Sequence, residues 1–290
     1  MSPAKFNEFA HRHPDLTILP SAHRSSRPSP PQFTSMLQRY SLSRRLKTGL
    51  SRLKAHLQSN IANDMFLEAE LMMLAFATGI MDVVTFPQYH VFASNQTGNT
   101  ALLAVGALGL GSGLISLPYV GTSLGVFAAG GLISGQLGNV FGRKRRLWLF
   151  LTNFIQTTLI GIAAGLRQHS HHKRSISLDL GIIALLAFAS GAQVAMARTV
   201  EVPEVTTAMV TSAYIDLFVD ENIFKLQNRG RNRRAIFVAC LILGSFIGAI
   251  AYLYVSPHFA LYVSALGRLI VALAFLFNDR APQAIECNSQ

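Results

Sequence analysis

The sequence predicts an all-α integral membrane protein with six transmembrane helices and two short re-entrant half-helices, arranged as an inverted 3+3 repeat. Three observations predict it. Half of the 290 residues are hydrophobic and only 13% are charged, a balance unlike that of water-soluble domains. Most apolar residues gather in runs long enough to cross hydrocarbon, with the basic residues between the runs. Two further apolar runs are too short to cross, and each follows an irregular polar stretch.

Residues 1–65 come first, and stretches such as SAHRSSRPSPPQ hold too little apolar surface to offset ordering entropy, which predicts a disordered basic cytosolic tail. No apolar signal core stands before residue 65. Near the end of the tail, Leu46, Leu50, Leu53 and Leu57 recur at helical spacing beside Arg44, Arg45, Lys47, Arg52 and Lys54. Residues 44–58 therefore read as an amphipathic helix suited to anionic lipid headgroups. The runs 66–87, 117–140, 147–166, 178–197, 236–255 and 258–277 are each long enough for roughly 30 Å of hydrocarbon at about 1.5 Å per residue. The runs 99–113 and 206–219 reach only about 21 Å as helix, and the polar stretches NQTGN and EVPEVTT lead into them. The first repeat is thus expected at 66–166 and the second at 178–277, with a polar tail over 278–290. Small residues at Gly121, Gly125, Ala129 and Gly135 are expected to let helices approach closely.

Charge placement favours six spans over eight. With both termini in the cytosol, 21 of the 25 basic residues fall inside, and only Arg167, Lys173 and Arg174 fall outside. Three crossings per half make the second half enter from the opposite side, hence the inverted repeat. Because the basic residues mark the ends of apolar runs, they do not form a nucleic-acid face. Two cysteines, Cys240 in an apolar run and Cys287 in the tail, make neither a disulfide framework nor a metal knuckle. The histidines His169, His171 and His172 have no carboxylate or cysteine beside them, so no metal and no cofactor is expected. No nucleophile elbow, phosphate loop, zinc-protease helix or dinucleotide fingerprint is present, and an enzyme is not expected.

Unpaired backbone groups cost several kcal/mol each in hydrocarbon, so NQTGN is expected to line a polar cavity rather than face lipid. Thr97 or Asn99 would cap the helix that follows, and Gly98 would permit a close approach or a positive φ. Helix N-termini meeting near the midplane favour an anion or a polar solute. The residues expected to bind it are Asp82, Gln96, Thr97, Gly98, Asn99, Gln193, Thr206, Thr207 and Thr211. Asp82 and Arg268 stand inside spans, where each costs about 2.5–3.5 kcal/mol, so Asp82 is expected to pair with Arg268, with Asp216 as its rival.

The segments GIMDVV…FASNQTGN and GAQ…TTAMVTS resemble those of the YoaK/DUF1275 family of small polytopic membrane proteins. Gly79, Asp82, Thr97, Gly98 and Asn99 carry the first-half likeness, with Gln96 in place of the usual Met. The second half departs from the pattern, since Val194 stands for the usual Asn and Ser212 for the usual Gly. The long basic tail resembles the extension of fungal-type members. The resemblance implies a six-span membrane protein and no assigned activity. The function expected from the residues is a secondary transporter or channel for a small polar or anionic solute through a midplane site. The alternative is a non-transporting scaffold or regulator that acts through the basic tail.

Overall fold

The computed structural model describes residues 47–111, 113–169, 175–200, 202, 205, 207–225 and 227–281. The chain divides into two units, Met1–Leu50 and Ser51–Gln290. Of the first unit, residues 47–50 are described, and all are helical and exposed. The rest of the tail, the start of the expected 44–58 helix, His171, His172 and Thr206 lie outside the described residues.

In the second unit, helix continues to residue 57, and eight named helices follow among the described residues. They are α1 (Met65–Tyr89), α2 (Gln96–Ala107), α3 (Leu117–Phe141), α4 (Arg146–His169), α5 (Ile176–Thr199), α6 (Thr211–Phe218), α7 (Arg229–Tyr254) and α8 (Pro257–Ala274). Six of them, all but α2 and α6, are long and apolar enough to cross a membrane. Local chemistry sets their bounds. Asp64 caps α1 by accepting from the Leu67 amide at 2.9 Å, and Ser256 caps α8 by accepting from Phe259, with Pro257 in the first turn. Gly142, at φ 96°, turns the chain out of α3. The fifth span begins at Arg229 rather than 236, because the basic run continues the helix. Asn228 caps it at the Arg231 amide, and Arg229 and Arg233 both donate to Glu68 on α1.

Contacts between helix ends fix the path of the chain. At one end, which we call the basic end, Asn60 bridges to Arg145 and Ile61 to Arg280. Arg146 there is fully buried and donates to the His56 carbonyl at 2.9 Å and to the Asn278 carbonyl. The start of α1, the α3–α4 loop, the start of α7 and the chain after α8 therefore share the basic end. At the other end, Tyr89 in the last turn of α1 meets Tyr119 in the first turn of α3 edge to face, ring centroids 6.1 Å apart. The Tyr119 hydroxyl donates to Asp179 at the start of α5, and Tyr262 on α8 donates to Gln168 on α4. The segment holding α2 thus leaves and returns to this tyrosine end.

The two halves pack with matching pairs. α1 lies along α7 and α5 along α3, while α4 lies against α8; α2 rests on α3, and α6 on α7. At the first crossing, Gly79 of α1 sits over the Leu241 carbonyl, and Gly244 of α7 sits over the Phe76 carbonyl. At the second, Gly191 of α5 sits over the Phe127 carbonyl, and Gly130 of α3 over the Phe188 carbonyl. In each case the glycine and the residue that presents its carbonyl to the facing helix are three residues apart, so the two crossings have the same construction. Only a residue without Cβ lets the backbones approach this closely. The expectation for Gly121, Gly125 and Gly135 is corrected: a Cβ at any of them would meet nothing within 4 Å, because they face away from the α5 crossing. α1 and α5 are mostly buried, whereas α3 and α7 expose apolar rows such as Leu132, Val140, Phe246, Ile250 and Leu253. Rows of this extent are a lipid-facing surface.

Candidate functional site

Tyr89 ends α1, and His90, in the left-handed region at φ 54°, reverses the chain while its amide still bonds the Phe86 carbonyl at 2.8 Å. The next residues run back along α1. The Ser94 amide reaches the Asp82 carboxylate at 2.9 Å, and the Ser94 hydroxyl donates to the same carboxylate. Asp82 lies seven residues before the end of α1, so Ser94 stands about 10 Å below that end. α2 starts from this depth. Its cap is Asn95, which accepts from the Gly98 amide at 3.2 Å, and not Thr97 or Asn99. This earlier cap moves α2 from the expected 99–113 to Gln96–Ala107.

A cavity of about 460 Å³ opens beside this turn. Asp82, Ser94, Asn95, Gln96 and Thr97 line it from the first half, and Val194, Arg198 and Ala208 to Ser212 line it from the second. Phe127 and Leu241, whose carbonyls receive the crossing glycines, close it on either side. The cavity therefore sits where the two halves meet. Thr211, the first residue of α6, is on its wall and exposed.

Four of the expected residues line this cavity: Asp82, Gln96, Thr97 and Thr211. The others that are described do different work. Asn99 is fully buried and locks the descending loop, its amide oxygen accepting from the Phe92 N–H at 2.9 Å and its nitrogen donating to the Phe92 carbonyl at 2.8 Å. Ser123 on α3 completes the lock by donating to the same carbonyl at 2.7 Å. Gly98 serves close approach and not a positive φ, since a Cβ there would meet the Phe92 ring at 3.1 Å. Thr207 is buried at φ 59°, with no partner for its hydroxyl among the described residues. That backbone region costs a β-branched residue about 1–3 kcal/mol.

Gln193 belongs to a second polar cluster, centred on Arg268. The Arg268 guanidinium is fully buried and donates to the Gln193 side-chain oxygen, to Gln156 at 3.5 Å and to the Thr78 hydroxyl at 3.4 Å. Gln193 in turn donates to Thr78 at 3.0 Å, and Gln156 to Thr152 at 3.2 Å. The expected Asp82–Arg268 pair is not in direct contact, although the two charges attract each other at a distance. Ser94 holds Asp82 while neutral oxygens hold Arg268, and no hydrogen bond or ion pair joins the two. Asp216 is exposed on α6, and its backbone carbonyl is within 3.5 Å of Arg234. Sequence reasoning missed Ser94, Ser123, Gln156 and Arg198. Ser94 directly precedes NQTGN, which was its available signal; Arg198 reads in the sequence as one more orienting charge.

Among the described residues, no three His, Cys, Asp or Glu side chains gather as a metal site would require. No curated protein and no solved structure matches the chain. A protein family does match, under the description "Protein of unknown function (DUF1275)", over residues 71–274. That stretch runs from the second turn of α1 to the last residue of α8 and takes in the cavity, both short helices and the Arg268 cluster. The chain therefore belongs to the DUF1275 family, as a membrane protein with six apolar helices.

Proposed function

We propose that this protein passes a small polar or anionic solute across its membrane, as a secondary transporter or channel, through the cavity between two inverted halves. The observation that carries the reading is that one cavity is lined by Asp82, by the start of α2 and by the start of α6. Broken or short segments at matching positions in two halves are what such a site is built from. Helix ends support the re-entrant reading. Both flanks of α2 lie at the tyrosine end, and the loop before α4 lies with the start of α1 at the basic end. Twelve and eight residues also reach only about 18 and 12 Å as helix. The twin glycine crossings support the repeat. By the positive-inside rule, the basic end faces the cytosol.

Exposed polar groups at this depth need water rather than lipid, so the cavity is hydrated in this reading. Asp82 accepts from a solute hydroxyl or ammonium, while the positive end of the α2 dipole favours an acceptor oxygen. Arg268 lies off the solute path and fixes how α1, α4, α5 and α8 dock. The test is flux into proteoliposomes of glycerol, acetate, phosphate and alanine, with and without a proton gradient. At least one is expected to move faster than in protein-free vesicles, and Asp82→Asn is expected to slow it about tenfold or more at unchanged protein abundance. No movement of any of them would overturn the proposal in favour of a scaffold that acts through its tail.

A further inference from the structure

Glu70 stands in the second turn of α1, two residues past Glu68, and the two carboxyls have opposite surroundings. Glu68 receives Arg229 and Arg233. Glu70 is 4% exposed, and among the described residues no basic side chain is paired with it. Its one side-chain hydrogen bond comes from the Asn278 amide nitrogen, which donates to Glu70 Oε2 at 2.9 Å. Glu70 Oε1 and Asn278 Oδ1 are both buried, and neither has a partner. Each is the second polar atom of a group already joined to the other through its first. A buried acceptor left without a donor costs about 1–3 kcal/mol, and one acceptor cannot satisfy another.

A single hydrogen meets both needs. With a proton on Oε1, Glu70 donates to Asn278 Oδ1, and acid and amide close a ring of two hydrogen bonds. Turning the Asn278 amide over gives the same ring with the proton on Oε2. The charged neighbours agree with a neutral acid. Asp64, which caps α1, sets a negative charge against an ionised Glu70. Arg146 on α4 meets Asn278 too, but it donates to the carbonyls of Asn278 and His56 and lies 2.7 Å from His56 Nδ1. Asp279 and Arg280, which follow Asn278, act on Arg146 with opposite signs. We propose that Glu70 is a proton-binding site: its neutral acid pairs with Asn278 and fastens α1 to the chain after α8 at the basic end, and loss of the proton releases that fastening. The site shares no residue with the central cavity and stands apart from the solute reading.

The folded protein then binds one proton more at this site than the unfolded chain does, so this contribution to stability falls as pH rises. The test is difference infrared spectroscopy of the full chain in detergent micelles, wild type against Glu70→Gln, with melting followed from mildly acidic to mildly alkaline pH. Wild type is expected to show the carbonyl band of an un-ionised carboxylic acid that Glu70→Gln lacks. Glu70→Gln, whose amide nitrogen takes the place of the acid hydrogen as donor, is expected to fold and to lose part of the fall in melting temperature with rising pH. In Asn278→Ala the acid band is expected to persist and to move to higher frequency, because its carbonyl has lost a donor. A carboxylic acid region identical in wild type and Glu70→Gln, or the same pH dependence of melting in both, would overturn the inference. Stabilisation of wild type but not Glu70→Gln by sodium ions would overturn it as well, assigning the two oxygens to a metal cation.

Discussion

The two halves share a scaffold and differ in their polar chemistry. At the crossings they match closely: Gly79 and Gly244 do for α1 and α7 what Gly191 and Gly130 do for α5 and α3. Thr78 and Ser190 also match, each bonding the carbonyl one turn earlier on its own helix at 2.8 Å. At the cavity the likeness ends. The first half has Asp82, a side-chain cap at Asn95 and a loop locked by Asn99 and Ser123. The second half has Val194 on the wall, no side-chain cap on α6, and Thr207 in the left-handed region. Packing thus demands symmetry where backbones touch, and the two halves line the cavity with different polar groups, a carboxylate and a capped turn from the first and Arg198, Thr211 and Ser212 from the second.

The largest effect is expected at the crossings. Gly79→Ala and Gly191→Ala each put a methyl group onto a facing backbone carbonyl, which overpacks the interface by about 1–3 kcal/mol. Melting of the detergent-solubilised protein should fall by similar amounts in both. A loss confined to one of them would break the symmetry of the scaffold. Next comes Asn99→Ala, which leaves the Phe92 amide without its side-chain acceptor and its carbonyl with Ser123 alone, at a cost of about 1–3 kcal/mol. Thr211→Ala, at an exposed position in the second half, should shift stability by less than about 0.5 kcal/mol. Equal losses would mean the second half is locked as firmly as the first. The smallest effect on stability is expected from Asp82→Asn, because the amide oxygen can keep the Ser94 N–H while its nitrogen donates to the Ser94 hydroxyl, which then accepts. Its consequence should be lost flux, whereas Val194→Asn should change flux little.

The spans were legible because a run of about twenty apolar residues, coiled as helix, matches the thickness of the hydrocarbon core. The early start of α7 was not, since RGRNRR looks like a loop until Glu68 and Asp220 supply carboxylates for its arginines. The site was legible in part. A polar side chain that lines a cavity and one that ties down a loop look alike in sequence, so Asn99 and Thr97 could not be told apart. The intramembrane charges misled for a physical reason. An unaccompanied Arg268 calls for a carboxylate, but Gln193, Gln156 and Thr78 provide neutral acceptors for its terminal nitrogens and leave only Nε without one among the described residues. Asp82 and Arg268 therefore serve different clusters.

The central claim is that α2 and α6 dip into the membrane from opposite faces without crossing it. Single cysteines at Asn60, Lys144, Gln227 and Gly113, introduced into a chain with Cys240 and Cys287 replaced by serine, test it through an impermeant maleimide in sealed vesicles. Asn60→Cys, Lys144→Cys and Gln227→Cys should label from one face, and Gly113→Cys from the other. Labelling of Lys144→Cys from the face opposite Asn60→Cys would mean that α2 spans the membrane, and would contradict the account.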